Sequence, residues 1–157
     1  IIPLISDDGK VFGYQGRSLE KNSKLRYITT ILNKNYPKIF GLDRVQKSKT
    51  VYVTEGPFDS LFLSNSIAMC GSDVTMDSTD YSDLVYVLDN EPRNKEIVSK
   101  YENLINKGNK IVIWPSSVRE KDLNDMALSG HDVQSVVESN IYQGLEANLK
   151  LNAWKKV

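Results

Sequence analysis

The chain has 157 residues, enough for one real core and a small satellite subdomain but not for a multi-domain machine. Apolar residues make up 40% and charged residues 25%, with 20 Lys+Arg balancing 20 Asp+Glu; this excludes a disordered or uniformly basic tail protein. The balance hides a split: residues 1–50 hold ten basic and four acidic side chains, a local charge of +6, so the remainder carries −6. Such asymmetry points to two surfaces with different partners, a polyanion for one and metal cations for the other. One cysteine (Cys70) and one histidine (His131) can build neither an internal disulfide nor a four-ligand Cys/His zinc site. The longest apolar runs are strand-sized, well short of the ~20 residues of a membrane span, and no signal segment opens the chain, so a cytoplasmic location and no membrane partner are expected. Because Ile1 rather than Met opens an already strand-like IIPLI, the chain reads as a piece of a longer protein.

In chain order, IIPLISDDGKVFGYQGRSL places Asp-Gly between two apolar-rich runs, which predicts an antiparallel hairpin. Residues 20–49 lose periodicity; a short strand around 26–28 and otherwise loop are expected, with no core of their own. From Thr50 the pattern changes. VYVT (51–54), IAMC (67–70), LVYVL (84–88) and KIVIW (110–114) are short continuous apolar runs, the mark of strands buried on both faces, and predict a roughly four-stranded parallel sheet. Between them, 57–65 reads as a helix with Phe58, Leu61 and Phe62 on one face, and 94–106 as a helix with Ile97, Tyr101, Leu104 and Ile105 in one stripe. Two further helices are expected near 133–138 and 145–154. The Leu145, Leu149, Ala153 stripe with Trp154 is expected to pack on its own domain, with docking of a partner as the other reading. Cys70 reads as a small buried hydrophobe, His131 as a surface or cap residue, and no phosphate-binding loop of the GxxxxGK[ST] type is present.

In an open parallel sheet, ligands bind beyond the carboxyl ends of the strands, so the residues that follow each apolar run carry the chemistry. Here they are acidic: Glu55 and Asp59 in EGPFD, Asp89 and Glu91 in LDNEP, and Asp122, Asn124 and Asp125 in KDLND. Carboxylates gathered without a partner repel and raise one another's pKa, which a cation relieves. Oxygen-only ligands suit Mg²⁺ or Mn²⁺, and magnesium held by one or two carboxylates is a site for substrate phosphates. The plain alternative is that any one of these acids merely caps a helix or sits in a solvated turn.

These same three segments resemble the signatures of the toprim domain, found in DnaG-type primases, topoisomerases and some nucleases and recombination proteins. The lead-in IIPLISDDGKVFGYQGRSL, followed by LRYITT and KIFGLD, resembles the basic amino-terminal subdomain of primase catalytic cores, and EGPFDSLFLSN and LDNEPRNKEI are most similar to primases of T4-type bacteriophages. The resemblance covers roughly residues 1–130. It implies an α/β toprim fold with a small basic α+β subdomain over 1–49, a toprim catalytic domain over 50–130, and carboxy-terminal helices over 131–157. It implies metal-dependent synthesis of short RNA primers on a single-stranded DNA template from ribonucleoside triphosphates, with two or three Mg²⁺ or Mn²⁺ ions, a replicative helicase as partner, and the infected bacterial cell as location. Glu55 and Asp89 would be nearest the chemistry; Glu55, Asp89, Glu91, Asp122 and Asn124 would hold metal, with Asp59 and Asp125 supporting them. Arg17, Arg26, Tyr27, Lys34 and Lys38 would contact template or nucleotide. Two departures stand out: the middle motif ends in Glu91 where the family usually has Asp, and Asn124 replaces a second Asp, which implies weakened metal affinity. The rival readings are a toprim nuclease or RNA-processing enzyme, and a catalytically weakened nucleic-acid-binding or helicase-docking module.

Overall fold

A computed structural model of the chain describes residues 1–20, 22, 24–25, 27–71 and 80–157. The Asp-Gly turn joins β1 (Ile2–Ile5) to β2 (Val11–Arg17) as an antiparallel hairpin. Gly9 takes φ 79°, a left-handed value that glycine adopts without strain, and the Ser6 N–H closes the turn onto the Lys10 carbonyl at 2.9 Å. β3 (Tyr27–Ile31) adds to the other side of β2, so the strand expected near 26–28 starts at Tyr27 and runs further; Arg26 lies outside the described residues. A side chain at Gly13 would fall 2.7 Å from the Thr30 carbonyl, so the close approach of β2 to β3 requires glycine there. This three-stranded sheet buries Leu4 and Phe12 together with Cys70 in a small core, with Tyr36 stacked on Phe12 at 4.9 Å. Residues 20–49 add only the partly buried Ile31, Tyr36, Phe40 and Leu42 to it, so that stretch has no core of its own, as expected.

The main sheet has the strand order β4-β6-β5-β7-β8-β9. Its centre is the expected parallel four: β5 (Thr50–Thr54), β6 (Ser66–Met69), β7 (Asp83–Val87) and β8 (Lys110–Val112). Two-residue antiparallel strands, β4 (Ile39–Phe40) and β9 (Ile141–Tyr142), close its edges. The central strands are buried on both faces, which is why they read as continuous apolar runs; Val51, Val53, Ile67, Ile111 and Val112 are fully buried.

Two helical expectations change. The 57–65 helix is a single turn, α1 (Pro57–Ser60). Ser66 Oγ donates to the Ser60 and Leu63 carbonyls, and Asn65 takes φ 50°, which turns the chain into β6 before a second turn can form. The buried residues there are Pro57, Ser60 and Leu63, and Phe58 stays 39% exposed. The carboxy-terminal helix α5 (Gly144–Trp154) forms as expected but on another phase: Ala147, Leu151 and Trp154 are buried, whereas Leu145 and Leu149 are 76% and 64% exposed. Trp154 sets the phase, since its ring packs on Tyr101 at 4.8 Å and its indole N–H donates to Asn90 Oδ1 at 3.0 Å. Helix α2 (Lys95–Asn106) matches its expectation, capped by the Asn94 side chain accepting from the Glu96 N–H, and buries Ile97, Val98, Tyr101 and Ile105. Helices α3 (Leu123–Leu128) and α4 (Val133–Glu138) complete the structure. Among the described residues no helix is long and apolar enough to cross a membrane.

Candidate active site

From β5 the chain crosses to β6 on one side and then to β7 on the other. That reversal opens a crevice at the carboxyl ends of β5 and β7, the position where open α/β sheets bind ligands. Thr54 pairs with Val87 across the two strands, so Glu55 and Asp89 leave the sheet as neighbours, and the Asp89 N–H donates to Glu55 Oε2 at 3.3 Å. The Trp114 indole N–H holds the Leu88 carbonyl at 2.9 Å, fixing the backbone one residue before Asp89. A side chain at Gly56 would lie 2.9 Å from Asp59 Oδ2, so it would push the Asp59 carboxylate aside.

A cleft of about 760 Å³, within the range of small-ligand sites, runs over this edge and is lined by Glu55, Asp59, Asp89 and Asp122. Burial raises the Asp89 carboxyl to about 7, helped by repulsion from Glu55, Asp59 and Asp122 and opposed by Lys121. Burial also raises Asp59 to about 6, with repulsion from Asp122 adding to it and backbone N–H groups of Asn124 and Leu123 opposing. Asp59 Oδ1 accepts from the Asn124 N–H at 3.4 Å, tying α1 to the start of α3. Asp122 is the N-cap of α3, accepting from the Asp125 N–H at 2.8 Å, so the capping alternative holds for one of its oxygens while the residue still lines the cleft. Glu91, Asn124 and Asp125 do not line it. Glu91 pairs with Lys121 at 3.3 Å and accepts from the Asn94 side chain, and Asn124 and Asp125 are exposed on α3.

The opposite wall comes from the small sheet. Thr29 Oγ1 accepts from the Gln15 side chain and donates to the Cys70 carbonyl at 3.2 Å, which anchors that sheet to the end of β6. Arg17 and Tyr27 line the cleft, with the Arg17 guanidinium over the Tyr27 ring at 5.4 Å and over the Phe58 ring at 4.9 Å, a cation–π contact that joins the small sheet to α1. Lys34 and Lys38 do not line the cleft. Cys70 is buried, with its thiol pushed up to about 11 by burial, and His131 lies 3.2 Å from Glu120, away from the cleft.

Three residues escaped the sequence reading. Lys100, from α2, places Nζ 2.8 Å from Glu55 Oε1; Lys121 stands 3.7 Å from Asp89 Oδ2. Burial works against both ammonium groups, but Glu55 for Lys100, and Glu91 and Asp89 for Lys121, outweigh it and raise their pKa. Asn90 is the third. Its amide donates to the Val118 and Glu120 carbonyls and accepts from Trp154, while its N–H donates to the Lys121 carbonyl at 2.7 Å. It thereby welds the β7 end, the loop before α3 and the end of α5. The only local signal was its position between two acids.

The donor set is all oxygen, and the carboxyls are raised chiefly by burial and then by repulsion among themselves, both of which a hard divalent cation offsets. Among the described residues no group of three His, Cys, Asp or Glu forms a ready-made cage for an ion. Magnesium held by one or two carboxylates, with waters and phosphate oxygens completing its shell, needs no such cage. The residues present fit such an ion as an open site at Glu55 and Asp89.

No protein-family model matches the chain. It is 36% identical over 163 residues to the DNA primase of Enterobacteria phage T4, an alignment that spans all of this chain and 47% of that protein, so the chain covers about half the relative's length. In structure it is similar to the RNA polymerase domain of Mycobacterium tuberculosis primase DnaG in complex with a double-stranded DNA oligomer bearing an overhang, with TM-score 0.69 and 17% identity over 92% of this chain and 54% of that one. It is similar also to a DnaG primase catalytic domain bound to single-stranded DNA, with TM-score 0.67 and 17% identity over 96% of this chain and 55% of that one. At such identities these two structures speak for the fold, and the T4 protein for descent. By sequence the chain is similar to part of the T4 phage DNA primase, and by fold to DnaG primase catalytic cores.

Proposed function

We propose that this chain is the catalytic core of a primase that makes short RNA primers on a single-stranded DNA template, acting in the cytoplasm of an infected bacterial cell. The observation that carries the reading is the pairing of Glu55 and Asp89 at the switch point of the sheet, inside a cleft whose other wall presents Arg17 and Tyr27. Its descent from a protein shared with the T4 primase supports it. Residues 1–49 form the basic wall, 50–130 the toprim catalytic unit, and 131–157 the helices that close the sheet edge and brace Asn90.

In the reaction, a ribose 3′-hydroxyl attacks the α-phosphate of the next ribonucleotide and pyrophosphate leaves. Bound Mg²⁺ or Mn²⁺ would stabilise charge on the attacking and leaving oxygens. Glu55 and Asp89 would hold it, with Asp122 contributing its free oxygen. Asp59 supports the start of α3, and through it Asp122. Glu91, placed outside the cleft, acts through Lys121, and the departures at Glu91 and Asn124 therefore weaken the site less than the motif comparison implies. Arg17 positions template or nucleotide phosphate, and Tyr27, exposed beside it, offers a face for a base. Lys34 and Lys38 stand further out and add only long-range attraction to the template. A replicative helicase is the proposed protein partner.

The test is template-directed synthesis. With labelled ribonucleotides, Mg²⁺ and single-stranded DNA, short RNA is expected from the wild type and none from Glu55→Gln. Cleaved DNA without RNA would replace this reading with the nuclease one.

A further inference from the structure

Two ammonium groups occupy the carboxylates that the proposed cation needs. Lys100 Nζ lies 2.8 Å from Glu55 Oε1, and Lys121 Nζ lies 3.3 Å from Glu91 Oε1 and 3.7 Å from Asp89 Oδ2. Neither lysine belongs to the strand ends. Lys100 reaches in from the second turn of α2 and Lys121 from the loop ahead of α3, and both line the cleft. The Lys100 side chain is 36% exposed and that of Glu55 only 21%, so the ammonium on its four-carbon stem has room to swing while the carboxylate stays at the strand end. A second resting place is at hand: Glu96, one turn back on α2, is 3.7 Å from the same Nζ.

A cation that takes Glu55 competes with Lys100 for the same oxygens and meets a like charge beside them. The conflict disappears if the ammonium has another anion to move to. A triphosphate in this cleft supplies one, because lysine is a mobile donor suited to phosphate oxygens. We infer that Lys100 and Lys121 are exchange cations, each holding its carboxylate in the metal-free protein and passing to the phosphates of the incoming nucleotide as the divalent ion takes the carboxylate. The inference rests on the metal-site reading above. Its consequence is positive coupling: metal alone binds weakly, triphosphate alone binds weakly, and each strengthens the other by the same factor. The lysines keep the acidic edge neutralised between cycles and make the loaded nucleotide the species that displaces them.

Calorimetry with Mn²⁺ alone, with α,β-methylene ATP alone and with both tests this on the wild type, Lys100→Met, Lys121→Met and Lys100→Arg. In Lys100→Met, Mn²⁺ alone should bind about five- to tenfold tighter because one competing charge has gone. The analogue should bind more weakly in that variant, and the factor by which each ligand helps the other should fall by about tenfold. Lys121→Met should move the same way by less, since its ammonium stands further from Asp89. Lys100→Arg, which keeps the charge, should bind Mn²⁺ alone as the wild type does. Unchanged or weaker Mn²⁺ binding in Lys100→Met, with coupling intact, would overturn the exchange and leave the metal site standing. No Mn²⁺ bound by any of the four proteins at millimolar concentration would remove the metal site and the exchange together.

Discussion

The two walls of the cleft are built by opposite means. The acidic wall is backbone topology: Glu55 and Asp89 sit where they do because two parallel strands end side by side, and their surroundings are packed enough to raise Asp89 to about 7. The basic wall is surface chemistry. Of its proposed contacts among the described residues, Arg17 and Tyr27 line the cleft, held by a Gln15–Thr29–Cys70 hydrogen-bond chain and by the rings under the Arg17 guanidinium. Glu55 and Asp89 are partly buried, whereas Arg17 and Tyr27 are exposed to solvent. Substitutions on the two walls should therefore fail in different ways.

The largest effect belongs to Glu55→Gln, which should lower primer synthesis by about 10²–10³-fold with the fold retained, comparable to removing one fixed electrostatic group from an active site. Circular dichroism with the synthesis assay checks both halves. Next is Asn90→Ala, which removes three side-chain hydrogen bonds and should cost about 2 kcal/mol of stability along with activity, read from denaturant unfolding. On the basic wall, Arg17→Ala should weaken single-stranded DNA or nucleotide binding by about tenfold and lower the salt slope by about one, with stability lowered by no more than about 1 kcal/mol through the lost cation–π contacts. Equal effects from Lys34→Ala would erase the distinction between facing and outlying cations.

A smaller effect is pH dependence of the metal-free protein. Asp89 at about 7 and Asp59 at about 6 lie above the ordinary 3.8, so the folded state binds more protons than the unfolded chain in that interval. Stability should fall as pH rises from about 4 to 7, by about 1–2 kcal/mol for Asp89 after allowance for solvent access, and the loss should shrink in Asp89→Asn and on adding Mg²⁺. Thermal melts across that range read it; stability that is flat or rising would contradict the crowding of charge at this edge.

How much of this was legible follows the range of the interactions. The four central strands were readable because burial on both faces writes itself as continuous apolar runs, and the hairpin because Asp8-Gly9 states its own turn. β4 and β9 were not, since two residues carry no period. The 57–65 pattern promised a helix that the buried Ser60–Ser66 contact stops, and the α5 stripe was misplaced because the ring of Trp154, docked on Tyr101, outweighs two leucines. The acidic residues at the site were visible as residues after strands. Lys100 was not, because it meets Glu55 across 45 positions of sequence, and neither was Asn90, whose partners lie 28 to 64 residues away.

The central claim is that the carboxyl edge at Glu55 and Asp89 receives the divalent ion that serves nucleotide transfer. A crystal structure with Mn²⁺ and a non-hydrolysable ribonucleoside triphosphate tests it most directly. Anomalous density is expected against Glu55 and Asp89 and in contact with the phosphates, with Glu91 and Asn124 outside its coordination shell and Lys100 withdrawn from Glu55. Triphosphate bound elsewhere, or manganese absent from Glu55 and Asp89, would contradict it.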